Sequence, residues 1–259
     1  MAKTVNTGFI FDTLNGIKIK SLQCNESNYN KKNSREVSYV VMHYTGNQKD
    51  TAKANAEYFR GAGRNASAHF FVGNTKIYQS VELKDVAWHC GAKTYKHANC
   101  RNANSIGIEM CCTAGNYRIS EKTKQNAAYL CAHICKMLGI AAGQVDQYVL
   151  RHWDVTGKIC PAQMVKKEEE WKDFKEKVRK LLGSTRNAEN PSQKREYPVK
   201  ITADILHVRK GPGMEYDVVV NVKKGEVYTI VEERTNGTTV WGKLKSGVGY
   251  ISLGYAARI

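Results

Sequence analysis

A polar stretch divides the chain. Residues 183–197 read Gly-Ser-Thr-Arg-Asn-Ala-Glu-Asn-Pro-Ser-Gln-Lys-Arg-Glu-Tyr, almost without an apolar side chain. A segment of this kind buries too little surface to offset the entropy lost on ordering it. It reads as a linker over 183–196, so one core running through all 259 residues is excluded. Two domains are expected, one over 1–182 and a smaller one over 197–259.

Strand and helix signals interleave in the first piece. A β-rich run over 37–42 ends at His43, and a helix over 51–60 follows, with Asp50 or Thr51 as cap and Gly61-Ala62-Gly63 as stop. Stretches 68–72 and 76–81, separated by Gly73-Asn74-Thr75, read as a hairpin, and 105–111 reads as another strand. Ala127, Leu130, Cys131, Ile134, Cys135 and Leu138 recur at helical spacing within 120–138, and Gly139 closes that helix. A second amphipathic helix over 166–182 turns Trp171, Phe174, Val178 and Leu181 inward. The expected fold class is therefore α/β, a mixed sheet flanked by helices. Beyond the linker, short β-rich segments at 206–209, 218–222, 226–231, 240–244 and 249–252 alternate with glycine turns, which predicts a small all-β barrel or sandwich.

Lys and Arg exceed Asp and Glu by 40 to 24, a net charge of +16 that favours polyanionic partners: nucleic acid, an anionic membrane surface or an anionic wall polymer. A nucleic-acid binder calls for a basic stripe with interleaved aromatics, and the lysines are instead scattered through both pieces, so no nucleic-acid partner is expected. No apolar run approaches the roughly 20 residues that span a bilayer, and Met1-Ala2-Lys3-Thr4 leads into polar residues. The expectation is a protein made soluble in the cytoplasm without a signal peptide and without membrane insertion. All eight cysteines precede residue 161. Cys131 and Cys135 lie on the apolar helical stripe, and Cys111 with Cys112 follows a strand. Such contexts suit small buried thiols of a protein folded in a reducing compartment.

Cys160 stands apart. In Arg151-His152-Trp153-Asp154-Val155-Thr156-Gly157-Lys158-Ile159-Cys160-Pro161, a His and a Cys eight apart bracket a Thr-Gly turn, and a loop there can fold both side chains onto one ion. A third donor must come from elsewhere. His43, where a buried-looking strand meets Tyr44-Thr45-Gly46, suits that role, and it equally suits a hydrogen-bonded histidine at a strand end. Alternation in Ile106-Gly107-Ile108-Glu109-Met110 sets Glu109 opposite the apolar face, as a catalytic carboxylate or as a solvent-facing one. In an extended loop, Lys158 and Cys160 project the same way, which aims the ammonium at the metal cavity.

Five blocks occur in order: Val41-Met42-His43-Tyr44-Thr45, Ser67-Ala68-His69-Phe70, Trp88-His89-Cys90-Gly91, Ser105-Ile106-Gly107-Ile108-Glu109, and the segment from Arg151 to Pro161. Together, over about 30–180, they resemble the zinc-dependent N-acetylmuramoyl-L-alanine amidases of the type-2 amidase and peptidoglycan-recognition superfamily. The resemblance implies Zn²⁺ held by His43, His152 and Cys160, Glu109 as general base, and Lys158 as the group that stabilises the oxyanion. Two neutral imidazoles and one thiolate leave Zn²⁺ a net +1 and enough Lewis acidity for hydrolysis. Some relatives carry a Tyr where this chain has Ala68, so here Glu109 takes the larger share. His69 is expected to line the pocket or to hydrogen-bond near the metal, His89 to be a cleft or structural residue, and Asp154 to cap the turn or orient a zinc-bound His.

The segments Ile205-Leu206-His207-Val208-Arg209-Lys210-Gly211-Pro212-Gly213, Lys224-Gly225-Glu226, Val240-Trp241-Gly242-Lys243 and Gly249-Tyr250-Ile251 resemble a bacterial SH3 domain, a module that usually binds cell-wall peptides or glycans. Tyr216, Trp241 and Tyr250 supply either a stacking surface or, for the last two, barrel core. The amidase resemblance implies hydrolysis of the amide between N-acetylmuramic acid and L-alanine in peptidoglycan; the lack of a readable export signal suggests an endolysin of phage or prophage type, and the positive charge favours the anionic wall of Gram-positive type. The alternative is a superfamily member that binds peptidoglycan without cutting it. Such relatives typically lack the metal-binding cysteine that Cys160 supplies here.

Overall fold

A computed structural model describes residues 2–183, 196–236 and 239–259. The chain divides into two compact units, Met1–Arg186 and Asn187–Ile259. Residues 184–195 of the expected linker lie outside the described residues.

The first unit is built on a seven-stranded mixed sheet. Its strands, in spatial order, are β11 (Val149–Arg151), β6 (Tyr39–Tyr44), β10 (Ser105–Met110), β7 (Phe70–Val72), β8 (Ile77–Gln79), β3 (Ile17–Ser21) and β2 (Thr13–Leu14). β11, β6, β10 and β7 run parallel, so their carboxyl ends gather at one edge, where layered α/β folds place their sites. The expected hairpin at 68–81 is the antiparallel β7–β8 pair. Two small antiparallel ribbons accompany the sheet: β1 (Lys3–Val5) with β5 (Arg35–Val37), and β4 (Tyr29–Asn30) with β9 (Val86–Ala87).

Among the described residues, six α-helices complete the unit: α1 (Ala52–Tyr58), α2 (Glu121–Leu138), α3 (Val145–Tyr148), α4 (His152–Thr156), α5 (Ala162–Lys166) and α6 (Glu168–Gly183). Thr51 caps α1 by accepting from the Ala54 amide, and Ser120 caps α2 by accepting from the Thr123 amide. The stripe read from the sequence of α2, with Leu130, Cys131 and Ile134, meets Trp171, Phe174 and Val178 of α6 and the sheet residues Val40, Met42, Ile106, Ile108 and Met110 in one core. All eight cysteines are buried free thiols. Among the described residues, no single helix is long and apolar enough to cross a membrane.

Three expectations need correction, and one set of strands had no expectation at all. The strand read as 37–42 and ending at His43 is β6, Tyr39–Tyr44, with Val37 in β5; pairing with β10 continues to Tyr44↔Met110 and holds the backbone extended through His43. The first half of the loop expected after Arg151 is helix: α4 starts at His152 itself and ends at Thr156, with Asp154 accepting from the Arg151 amide at 2.8 Å. The last helix includes Gly183, assigned above to the linker; one glycine is tolerated in a closing turn. The strands within residues 3–30 carried no strand reading, being short and polar.

The second unit is all β. Its seven strands are β12 (Tyr197–Ile201), β13 (Ile205–Arg209), β14 (Val218–Lys223), β15 (Val227–Asn236), β16 (Thr239–Leu244), β17 (Tyr250–Ser252) and β18 (Ala256–Arg258). They form one sheet in the order β14-β13-β17-β16-β15-β12-β18 around Val199, Ile201, Val208, Ile230, Leu244 and Ile251. Trp241 is buried at 3 % exposure, which removes it from any stacking surface, whereas Tyr216 is exposed.

Candidate metal centre

Parallel register sets the geometry. On β6 and β10, Val41 pairs with Gly107 and His43 with Glu109, so these four share the face opposite the α2–α6 core. His152 opens α4 directly after β11, the strand on the other side of β6. From there the chain must turn back to deliver Cys160. Gly157, at φ 85°, ends α4 in the left-handed conformation, and the Trp153 amide donates to the Cys160 carbonyl at 3.0 Å. The Cys160 amide donates to the Lys158 carbonyl at 2.7 Å. That tight turn replaces the extended loop from which the aim of Lys158 was inferred.

One donor atom from each of His43, His152 and Cys160 lies within 4.8 Å of the others, and all three residues are buried. His43 Nδ1 is 3.1 Å from His152 Nδ1 and 3.8 Å from Cys160 Sγ. Tetrahedral zinc, with Zn–N of about 2.0–2.1 Å and Zn–S of about 2.3 Å, separates nitrogens by about 3.3 Å and nitrogen from sulfur by about 3.6 Å. The donor set therefore has the size as well as the chemistry of a metal site with three protein ligands.

Electrostatics points the same way. Burial, then the neighbouring His89 and His152, holds His43 well below the usual histidine range. Burial followed by the Lys158 charge brings His152 down to about 4. Both imidazoles are thus neutral at neutral pH, the form that donates a lone pair. Burial, with Glu109 adding to it, pushes the Cys160 thiol up, against the Tyr44 amide that donates to its sulfur at 3.4 Å and the charge of Lys158. Without a cation the sulfur keeps its proton; a divalent cation displaces it.

Glu109 sits beside this cluster and also lines a cleft of about 380 Å³ bordered by Thr45, Asn47, Asp50, Asn55 and Tyr58. Its Oε2 is buried with no hydrogen-bond partner among the described residues. Burial raises its pKa to about 8, with the Lys158 charge opposing and Asp50 reinforcing. A carboxyl so poised can take up and release a proton near neutral pH. Lys158 is exposed, and its charge acts on His43, His152, Glu109 and Cys160 alike.

Other expected residues sit elsewhere. His69 Nδ1 accepts from the Gly107 amide at 3.0 Å, while Nε2 lies 3.2 Å from the Asp85 carbonyl and 2.8 Å from Arg35 Nη2. It ties β10 to its surroundings and is outside the donor cluster. Asp154 caps α4 and pairs with Arg151 at 2.9 Å. The sequence reading gave no role to the Tyr44 amide and offered Asp50 only as a helix cap, a place that Thr51 takes. Asp50 accepts from the Cys112 amide and from Asn47 and Asn55. Backbone amides carry no sequence signal, and an Asp next to a helix cap reads only as a cap.

The family profile for N-acetylmuramoyl-L-alanine amidase (Amidase_2) matches residues 33–163. Among curated proteins, the N-acetylmuramoyl-L-alanine amidase CwlL of Bacillus licheniformis is 34% identical over 157 residues, 57% of this chain and 42% of CwlL. The N-acetylmuramoyl-L-alanine amidase BlyA of Bacillus subtilis strain 168 is 29% identical over 238 residues, 82% of this chain and 64% of BlyA. The chain thus spans less than two thirds of the length of these relatives. Among solved structures, the catalytic domain of XlyA superposes with a TM-score of 0.52 at 27% identity, covering 62% of this chain and 98% of that domain. A mutant endolysin from Bacillus subtilis gives a TM-score of 0.52 at 27% identity, covering 62% and 99%.

Proposed function

The chain belongs to the N-acetylmuramoyl-L-alanine amidase family, and from that premise we propose that it hydrolyses the amide between N-acetylmuramic acid and L-alanine in Gram-positive-type peptidoglycan, as an endolysin. The observation that carries the reading is the gathering of two imidazole nitrogens and one sulfur, from positions 43, 152 and 160, into one buried cluster.

His43 Nδ1, His152 Nδ1 and Cys160 Sγ would hold zinc, the sulfur as a thiolate steadied by the Tyr44 amide. Zinc bound there supplies the Lewis acidity that polarises the scissile carbonyl and acidifies water. Glu109 takes the proton of the attacking water on a carboxylate oxygen and passes it to the departing L-alanine nitrogen. Its unpartnered Oε2 and its pKa near neutrality support both halves of that cycle. Lys158 offsets the negative charge that develops on the carbonyl oxygen. The cleft beside Glu109 offers room for the stem peptide.

The second unit, in this reading, is an SH3-like module that holds the enzyme on the wall, and tethering raises its effective concentration there. Its all-β sheet supports the assignment, and Tyr216 and Tyr250 remain as candidate contact residues. An endolysin of this kind is made in the cytoplasm and acts on the wall after release.

Digestion of purified Gram-positive cell walls tests the reaction. The expected products are new free α-amino groups of L-alanine without new reducing ends. Reducing ends alone would defeat the assignment, and wall binding without release would leave a recognition protein.

A further inference from the structure

We propose that His89 is a positioning residue: through a one-way chain of hydrogen bonds ending on the Arg101 carbonyl, it keeps His43 in the tautomer whose Nδ1 is free to bind metal. The inference rests on the reading of His43 as a metal donor.

The direction of each bond follows from the one before. A carbonyl oxygen only accepts, so Ser105 Oγ, 2.7 Å from the Arg101 carbonyl, donates its proton there. Ser105 Oγ then presents lone pairs to His89 Nε2 at 3.2 Å, and that nitrogen carries the proton. A neutral imidazole holds one N–H, which leaves His89 Nδ1 bare. Nδ1 lies 3.0 Å from His43 Nε2, so the His43 proton belongs on Nε2. His43 Nδ1 is thereby left as a lone pair directed at His152 Nδ1 and Cys160 Sγ. The sulfurs beside Ser105 Oγ, that of Cys90 at 3.9 Å and that of Cys100, are weaker partners than a carbonyl at 2.7 Å and do not reverse the order.

The ring of His89 is held in place for this task. Its backbone amide donates to Asn102 Oδ1 at 3.1 Å. A Cβ on Gly107 would lie 2.5 Å from His89 Cγ, so only glycine at that position of β10 leaves the ring its seat. His43 and His89 meet edge to face, their planes 87° apart, with both residues buried. His89 does not belong to the donor cluster, because it contacts the opposite edge of the His43 ring.

The test uses the full chain with His89→Phe, His89→Gln and Ser105→Ala. The tautomer of His43 is read from ¹⁵N chemical shifts of the metal-free protein, and zinc affinity from competition with a chromophoric chelator. His89→Phe is expected to shift His43 away from the Nε2–H form and to weaken zinc binding about 10- to 100-fold, the usual effect of losing such a partner. His89→Gln, whose amide oxygen still accepts from His43, is expected to recover most of both; Ser105→Ala is expected to give a smaller loss. A His43 that stays protonated on Nε2 in folded His89→Phe, or a His89→Gln no better than His89→Phe, would overturn the proposal. The two premises fail separately: the tautomer is read without metal, whereas zinc binding indifferent to Cys160→Ser would remove the metal-donor reading itself.

Discussion

The two faces of β6 and β10 make opposite uses of the same strands. On one face Val40, Met42, Ile106, Ile108 and Met110 are fully or almost fully buried against α2 and α6, with no polar side chain among them. On the other, offset by one residue, stand His43, Gly107 and Glu109. The first face is held by non-directional burial that tolerates repacking. The second depends on directed contacts, in which one nitrogen or oxygen placed wrongly costs the function. Alternation with period two lets one stretch of chain carry both, so that a rigid core sets the spacing of the chemistry above it.

Substitutions can break the site face while sparing the core face. The largest effect is expected for Cys160→Ser, which should lose bound zinc and bring wall hydrolysis to background while the helical circular dichroism persists; an active, metal-free variant would undo the ligand assignment. Glu109→Gln should keep stoichiometric zinc yet lower turnover by about 10²–10⁴-fold. The same variant sharpens a pH effect. The folded-state pKa of Glu109 is raised from 4.5 to about 8, so its contribution to stability is full below the lower value and is lost as pH rises through the upper one. The Tm of metal-free wild type should therefore fall across that window more steeply than that of Glu109→Gln; parallel slopes would refute the raised pKa.

Ile108→Ala addresses the opposite face. It should destabilise the first unit by about 2–5 kcal/mol in denaturant titration. Zinc content and specific activity of the folded protein should change least of all. If they fell as they do for Cys160→Ser, the two faces would not be separable.

How much was legible varies by element. α2 announced itself because its stripe, its Ser120 cap and its Gly139 stop agree with one another. The strands before residue 30 did not, since they are two to five residues long and rely on partners distant in the chain for their order. Alternation set Glu109 on the face opposite the core and left a solvent-facing carboxylate equally open; only the family resemblance singled it out as a base. His43 became a candidate as a strand-end residue, and β6 ends one residue beyond it. Lys158 was aimed at the cavity by an extended loop that is in fact a tight turn, yet its charge does act on the cluster. His89 could not be assigned, because what gives it a role is a nitrogen on His43, a hydroxyl on Ser105 and the missing side chain of Gly107.

The sequence by itself determined the division of the chain, the period of each long element and the residue types available for chemistry, since these depend on neighbours within a few positions. Only the tertiary structure decided that nitrogens from residues 43 and 152 stand 3.1 Å apart, that the other edge of the His43 ring meets His89 at 3.0 Å, and that Glu109 has a buried oxygen with no partner among the described residues. Distances between residues a hundred positions apart are set by how the sheet is ordered and packed, and no local pattern encodes them.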